Sequence, residues 1–317
     1  MRNFIFAVLG AAVVAGPAMA QDITIGTTAI VEHPALDAVR DGVRDGLAEE
    51  GYRDGQEIRF LYESAQGNPT IAAQIAAQYV GQNVTVIVPI ATPSAQAAAT
   101  ATTTIPIVFG AVTDPVAAGL VADVAQPGGN VTGVSDLTPV ADQFALAMEI
   151  VPGIETIGVI YNPAEANAVV LVGLLADAAE ALGVEVVEAT AANSGAVQAA
   201  AASLVGRVDA IYVPTDNTVV SAFEAVVGVA EDAQIPLFAG DNDSVTRGAI
   251  ASIGFDYYEH GKQTGRLVAR VLRGENPGDI PVEFASGGTI AVNLVAAERM
   301  GVTIPQAVVD RAAEVIR

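Results

Sequence analysis

Four short phrases carry the side chains that could do chemistry. Thr92-Pro93-Ser94 and Val112-Thr113-Asp114 offer hydroxyls, while Thr215-Asp216-Asn217 and Asp241-Asn242-Asp243 offer carboxylates and amides. Hydroxyls followed by the free N–H groups of a helix start suit an anion, and carboxylates suit a cation. A solute with both ends charged, such as a free amino acid, needs both kinds of wall, because a charge taken out of water unpaired costs several kcal/mol, on the order of a lost buried interaction. Glu32-His33-Pro34 and Tyr161-Asn162 stand at comparable positions and add a ring, a phenol and an amide. Thr92, Ser94, Asp216 and Asn217 also fit helix N-caps, the ordinary role of such residues, and Asp114 before Pro115 also fits a turn. His260 lies in a long helical stretch and has no comparable position.

Covalent chemistry has little to stand on. The chain contains no G-x-S-x-G, H-E-x-x-H or phosphate-binding loop, and "GGNVTG" lacks G-x-G-x-x-G spacing. It has no cysteine, which removes disulfides, thiolate metal sites and thiol nucleophiles. "DND" at Asp241 to Asp243 lacks the glycine and distal glutamate of a calcium loop. No catalytic residue, metal or cofactor is therefore expected. An enzyme relying on Asp and His alone stays open as an alternative.

The elements that must position these phrases alternate. Ile23 to Ala29 is an apolar run, followed by a helical pattern over Pro34 to Glu50 in which Leu36, Val39, Val43 and Leu47 share a face. Strand and helix patterns then follow each other at Glu57 to Tyr62, Pro69 to Val80, Val84 to Pro89, Ser94 to Thr103 and Ile105 to Phe109. The order recurs from Thr156, including a helix over Val219 to Asp232 and a strand over Ile235 to Ala239. "TIGTT" pairs with "TIGVI", "TVIVP" with "AIYVP", and "IPIVFG" with "IPLFAG". Such alternation gives an α/β fold with parallel sheets covered by helices, here in two similar lobes. In such sheets ligands bind outside the carboxyl ends of the strands, which is where all the phrases above fall.

Composition narrows the partners. The chain of 317 residues is 52% hydrophobic, so two medium domains can each bury a core. Its net charge of -22 and single lysine, Lys262, argue against nucleic acid and against anionic lipid. Arg2, the apolar run Phe4 to Val14 and Ala18-Met19-Ala20 read as a cleaved signal peptide over residues 1–20. A mature protein outside the cytoplasm is expected, periplasmic in a Gram-negative cell.

Several phrases together, among them "HPALDAVRDGVRDGLAEEGY", "TPSAQAAA", "IPIVFGAVTDPVAAGLV", "NVTGVSD", "VIYNPAEANA", "VPTDNTV" and "GFDYYEHGKQTGRLVARVLRGENP", resemble the solute-binding proteins of ABC transporters, in the group that includes tryptophan- and tyrosine-binding proteins. The resemblance implies a type I periplasmic-binding fold of two Rossmann-like lobes. Three hinge crossings would lie near Thr132, Phe255 and Phe284. The lobes would comprise 22–133 plus 256–284 and 134–255 plus 285–317. By the same likeness Thr92, Ser94 and Thr113 would hold a ligand carboxylate, Asp216 or Asp241 would meet an ammonium, and His33, Tyr161 and Asn162 would line the side-chain pocket, with Asn217 beside them. The implied partner is an inner-membrane ABC permease fed by a monomer. A receptor-coupled sensor is the other non-enzymatic alternative. With no tryptophan in the chain, any stacking on an aromatic ligand must come from Tyr or Phe, and an aliphatic ligand stays open.

Overall fold

The computed structural model describes residues 23–285 and 287–317; the expected leader, 1–20, lies outside the described residues. The first series runs β1 (Ile23–Ala29), α1 (Pro34–Glu49), β2 (Ile58–Ser64), α2 (Pro69–Gly81), β3 (Val86–Ile90), α3 (Thr92–Ala101), β4 (Ile107–Val112) and β5 (Val131–Ser135). The second runs α4 (Val140–Ile150), β6 (Thr156–Tyr161), α5 (Ala166–Leu182), β7 (Glu185–Thr190), α6 (Val197–Ser203), β8 (Ala210–Val213), α7 (Asn217–Ser221), α8 (Phe223–Ala233), β9 (Leu237–Ala239), α9 (Asn242–Thr246) and β10 (Ala251–Gly254). The chain closes with α10 (Tyr257–Leu272), β11 (Glu283–Phe284), β12 (Thr289–Asn293), α11 (Leu294–Arg299), α12 (Gln306–Val309) and β13 (Glu314–Ile316).

One sheet has the order β11-β5-β4-β3-β1-β2 and the other β13-β12-β10-β9-β8-β6-β7. Each series thus places its second strand outermost, then its first, third, fourth and fifth, which is the doubly wound order in which the ligand crevice lies at the strand ends. The repeated phrases of the sequence are equivalent strands of this repeat. Each sheet has its own core, with Ile25, Ile87 and Phe109 in one and Ile157, Leu171 and Phe223 in the other.

The crossings fix how the sheets face. The chain leaves the carboxyl ends of β5, β10 and β11 and enters the other lobe each time. Both sheets therefore turn their strand ends toward one gap. A chain arriving from that gap must run back into the second sheet, so β12 pairs antiparallel with β10. β12 and β13, which pairs parallel with it, are the exceptions to the parallel pattern expected from the sequence. The pattern expected as one helix over Val219 to Asp232 is two, α7 and α8, because Ala222 takes a non-helical backbone (φ -122°, ψ 30°). The buried face, Val219, Phe223, Val226 and Ala230, continues across the break, so the apolar period reads as one helix.

Helices α1 and α10 touch backbone to backbone. A Cβ on Gly42 would stand 2.1 Å from the Tyr258 carbonyl oxygen, and one on Gly261 would stand 2.2 Å from the Val39 carbonyl oxygen. Gly46 and Gly265, one turn further along each helix, are equally obstructed, at 2.6 Å from backbone oxygens. Since α10 continues directly from the second crossing, this contact seats the hinge on the first lobe. Gly261→Ala is expected to lower unfolding stability by at least about 1–3 kcal/mol, the range for overpacking. Gly173→Ala, in the open interior of α5, should raise it by about 0.5–1 kcal/mol. Urea titration of both variants checks the pair, and equal midpoints would contradict the close helix contact.

Candidate functional site

Between the facing strand ends lies a narrow cavity with walls from both lobes. The first lobe contributes His33, Leu36, Ala111 and Thr113, and the second contributes Asn167, Thr215, Asn217, Val220 and Asp241. Asp136 and Tyr257, both at crossings, complete the wall.

Two carboxylates define the electrostatics. Asp136 is 4% exposed and accepts from the Thr113 hydroxyl (3.0 Å) and the Tyr257 hydroxyl (3.2 Å). Burial pushes its pKa up to about 6, with the Asp241 charge adding to the rise and both hydroxyl bonds opposing it. Asp241, 2% exposed, accepts from the Ser244 N–H and hydroxyl, each at 2.7 Å, and is likewise raised by burial. Its strand end is held by Gln143 of α4, whose amide donates to the Gly240 carbonyl (2.9 Å). Among the described residues no Lys or Arg lines the cavity. His33 does not supply the charge, since burial, helped by the Arg247 charge and opposed by a hydrogen bond with Asn217, pushes its pKa down to about 3.

Unpartnered polar atoms surround these acids. The buried His33 Nδ1, Asn167 Oδ1 and Thr215 Oγ1 make no hydrogen bond. Thr92 Oγ1 and Ser94 Oγ are also buried and unpartnered, on the first turn of α3, which starts without a side-chain cap. That turn follows β3, whose sheet neighbours are β1 and β4, so it lies between the His33 and Thr113 loops. Buried polar groups normally have partners, so this set marks where a ligand's polar atoms would be received. Ala91 and Ala111, at φ 72° and 53°, hold left-handed backbone at two of these strand ends. Such strain in non-glycine residues gathers at binding sites.

Of the residues expected from the sequence, His33, Thr113, Asn217 and Asp241 line the cavity. Thr92 and Ser94 lie at the neighbouring α3 start. Asn162 borders an adjoining groove, with its amide on Thr218 Oγ1 (2.9 Å). The Tyr161 hydroxyl donates to Glu188 on the neighbouring strand of its own lobe (2.5 Å). Asp216, 0% exposed, caps α7 through Val219 N–H (2.8 Å) and accepts from Asn162 N–H (2.6 Å), inside the second lobe rather than on the cavity. Burial and the nearby Glu165 charge raise its pKa well above the usual range. Glu165 itself gathers Asn217 and Thr218 through their N–H groups (3.0 Å each) and their side chains (2.6 and 2.7 Å).

Sequence reading missed Asp136, Tyr257, Asn167 and Glu165, and it named Thr215 in its phrase without giving it a role. Asp136 follows a strand like the other candidates, but "VTGVSD" reads as a connection out of the first lobe. Glu165 stands in "YNPAEANA" and meets α7 only through folding.

A profile described as "ABC transporter substrate binding protein" matches residues 24–316. The chain belongs to that family. This substrate-binding protein is 42% identical over 269 residues to a "Tyrosine-binding protein" of Clostridioides difficile, covering 85% of this chain and 78% of the other. It superposes with a TM-score of 0.90 and 36% identity on a Streptococcus pneumonia ABC domain in complex with L-Trp, over 93% of this chain and 100% of that one. Against a ligand-free, open substrate-binding protein of Clostridium difficile the TM-score is 0.70 at 38% identity, over 93% and 99% of the two chains.

Glu165→Ala is expected to lower unfolding stability by about 2–4 kcal/mol, since it leaves the buried donors at the α7 start without an acceptor. Glu165→Gln, which keeps an acceptor oxygen, should recover part of this in the same denaturation experiment. An Ala variant as stable as the parent would remove the anchoring role.

Proposed function

We propose that this protein captures one amino acid between its lobes, of the aromatic class, and delivers it from outside the cytoplasmic membrane to an ABC permease. The observation that carries the reading is the pair Asp136 and Asp241 facing one buried cavity with no Lys or Arg among its described lining residues. Two like charges there oppose closure until a cation lies between them. A ligand ammonium supplies that cation. The ligand carboxylate would meet the Thr92 and Ser94 hydroxyls and the uncapped first turn of α3, and His33, Leu36 and Val220 would surround the side chain. Thr113 acts on the ligand through Asp136. The aromatic class is supported by the ligands named for two relatives, tyrosine and L-Trp.

Because the cavity walls belong to both lobes, the ligand makes its full set of contacts only when they close. That difference in contacts drives the hinge. No bond to the ligand is made or broken in this cycle. The expected leader over 1–20 supports export, with the periplasm as the compartment in a Gram-negative cell.

Isothermal titration with the common amino acids is expected to give heat with tryptophan or tyrosine, and silence across the whole panel would overturn the amino-acid reading. An aromatic propionate that lacks the amino group should bind at least about 100-fold more weakly, as the buried acids then stay unpaired. Asp136→Asn and Asp241→Asn should each weaken binding about 30- to 1,000-fold, the effect of breaking a buried charge pair. The exposed Asp177→Asn should leave affinity within about twofold.

The pH dependence follows from Asp136. Its carboxyl is ionised above about pH 6 and protonated below. An ammonium pairs only with the ionised form, so affinity should be flat above that value and fall as pH drops through it. The same raised pKa favours the empty closed arrangement in acid, a contribution fully present below about pH 4, the ordinary carboxyl value, and lost as pH rises through 6. Titrations from pH 4.5 to 8 check the profile, and Asp136→Asn should abolish the inflection.

A further inference from the structure

We propose that His260 is a positioning residue for the ligand site, holding a β-bulge in β4 that aims Thr113 at Asp136. This rests on the reading that Asp136 meets the ligand.

The register shows the bulge. Phe109 pairs with Gly133 of β5 and Val112 pairs with Ser135, so β4 inserts one more residue than its neighbour over this stretch. A bulge leaves its additional residue outside the ladder and re-aims the side chains that follow. Here Ala111 takes the left-handed conformation, φ 53°. Its N–H, turned away from the sheet, donates to His260 Nε2 at 2.8 Å, 149 residues away in sequence. Two residues further on, Thr113 donates to Asp136 Oδ1 and its carbonyl accepts from the Ser135 hydroxyl (2.8 Å). In a strand, a one-residue slip sends every following side chain to the opposite face. Without the bulge Thr113 would point away from the carboxylate.

Helix α10 is seated to supply this acceptor. Gly110 leaves room for the approach, since a Cβ there would stand 3.1 Å from Thr264 Oγ1 of α10. His260 is 3% exposed, and its ring stacks on Phe255 of the second crossing, with centroids 5.8 Å apart. Burial keeps the ring neutral, its pKa pushed down to about 3, so Nε2 can accept while Nδ1 carries the proton. That Nδ1 is buried without a partner. A ring wanted only for packing would be Phe at this position, with no polar atom left unpaired. Three residues earlier on the same helix, Tyr257 donates to Asp136 Oδ2. One helical turn therefore holds the carboxylate directly through Tyr257 and, through Ala111 and Thr113, from the other side.

The test uses His260→Phe and His260→Gln in the whole protein. Phe keeps the stacking and volume and removes the acceptor, while Gln restores an acceptor oxygen at similar reach. Three quantities are read: affinity for the amino acid that the parent binds, melting temperature, and amide exchange at Ala111. Ile211, whose N–H donates to the Pro236 carbonyl in the other lobe, serves as the exchange reference.

The expected result is loss of Ala111 protection in His260→Phe, with Ile211 unchanged and affinity reduced about 10- to 100-fold, the effect of a small misplacement of a contacting group. His260→Gln should regain both. The inference is overturned if Ala111 stays protected in the Phe variant. It also falls if protection is lost and affinity stays within about twofold, or if Gln loses as much affinity as Phe while melting like the parent. If the parent binds no amino acid, the proposed function fails by itself. The exchange pattern then decides alone whether His260 holds the bulge.

Discussion

Everything at this site depends on two acids that line one buried cavity with no Lys or Arg among its described lining residues. Asp136 belongs to the crossing out of β5, and Asp241 to the end of β9 in the second sheet. Their negative potentials meet in a cavity where the only ionisable nitrogen among the described residues, on His33, is held neutral by burial. Such a pair is tolerable if a proton or a cation lies near it. The requirement makes the lobe arrangement and the occupant of the gap a single equilibrium.

The scaffold makes that meeting unavoidable. Parallel strands bring their carboxyl ends and following loops to one edge, and three crossings that leave from those edges turn two such edges face to face. The antiparallel entrance of β12 is the geometric consequence. Local anchors then divide the labour. Asp216 and Glu165 fix the start of α7 and so present Asn217 to the cavity, and Gln143 holds the strand end that carries Asp241. Carboxylates of the same type thus do different work, depending on whether their lone pairs are already filled by backbone N–H groups.

The hinge and the site are joined through α10. Its glycines let it lie against α1 at backbone distance, and its first turn reaches both the bulge in β4 and the carboxylate of Asp136. Phe255, Tyr257 and His260 cluster where the second crossing enters the first lobe. The crossing and the Asp136 carboxylate therefore lie within one helical turn of each other.

The two-lobed α/β plan was legible in the residues, because period-2 and period-3.6 apolar patterns are local and recur in matched order. So was the placement of polar side chains after strands, which led to His33, Thr113, Asn217 and Asp241 on the cavity wall. α4 and α9 were not legible. α9 is five residues long, and α4 lies in a stretch that reads as the exit from a lobe. Nor did the sequence separate Asp216 from Asp241, since both follow a strand and both cap a short helix. Only the folded chain decides that Asp216 is enclosed by Asn162 and Val219 while Asp241 keeps a face on the cavity. The same holds for Asp136, Tyr257 and His260, whose partners lie 23, 121 and 149 residues away. Patterning along a chain records which face of an element is apolar. Which buried polar groups meet depends on how distant elements cross, and that is set by packing.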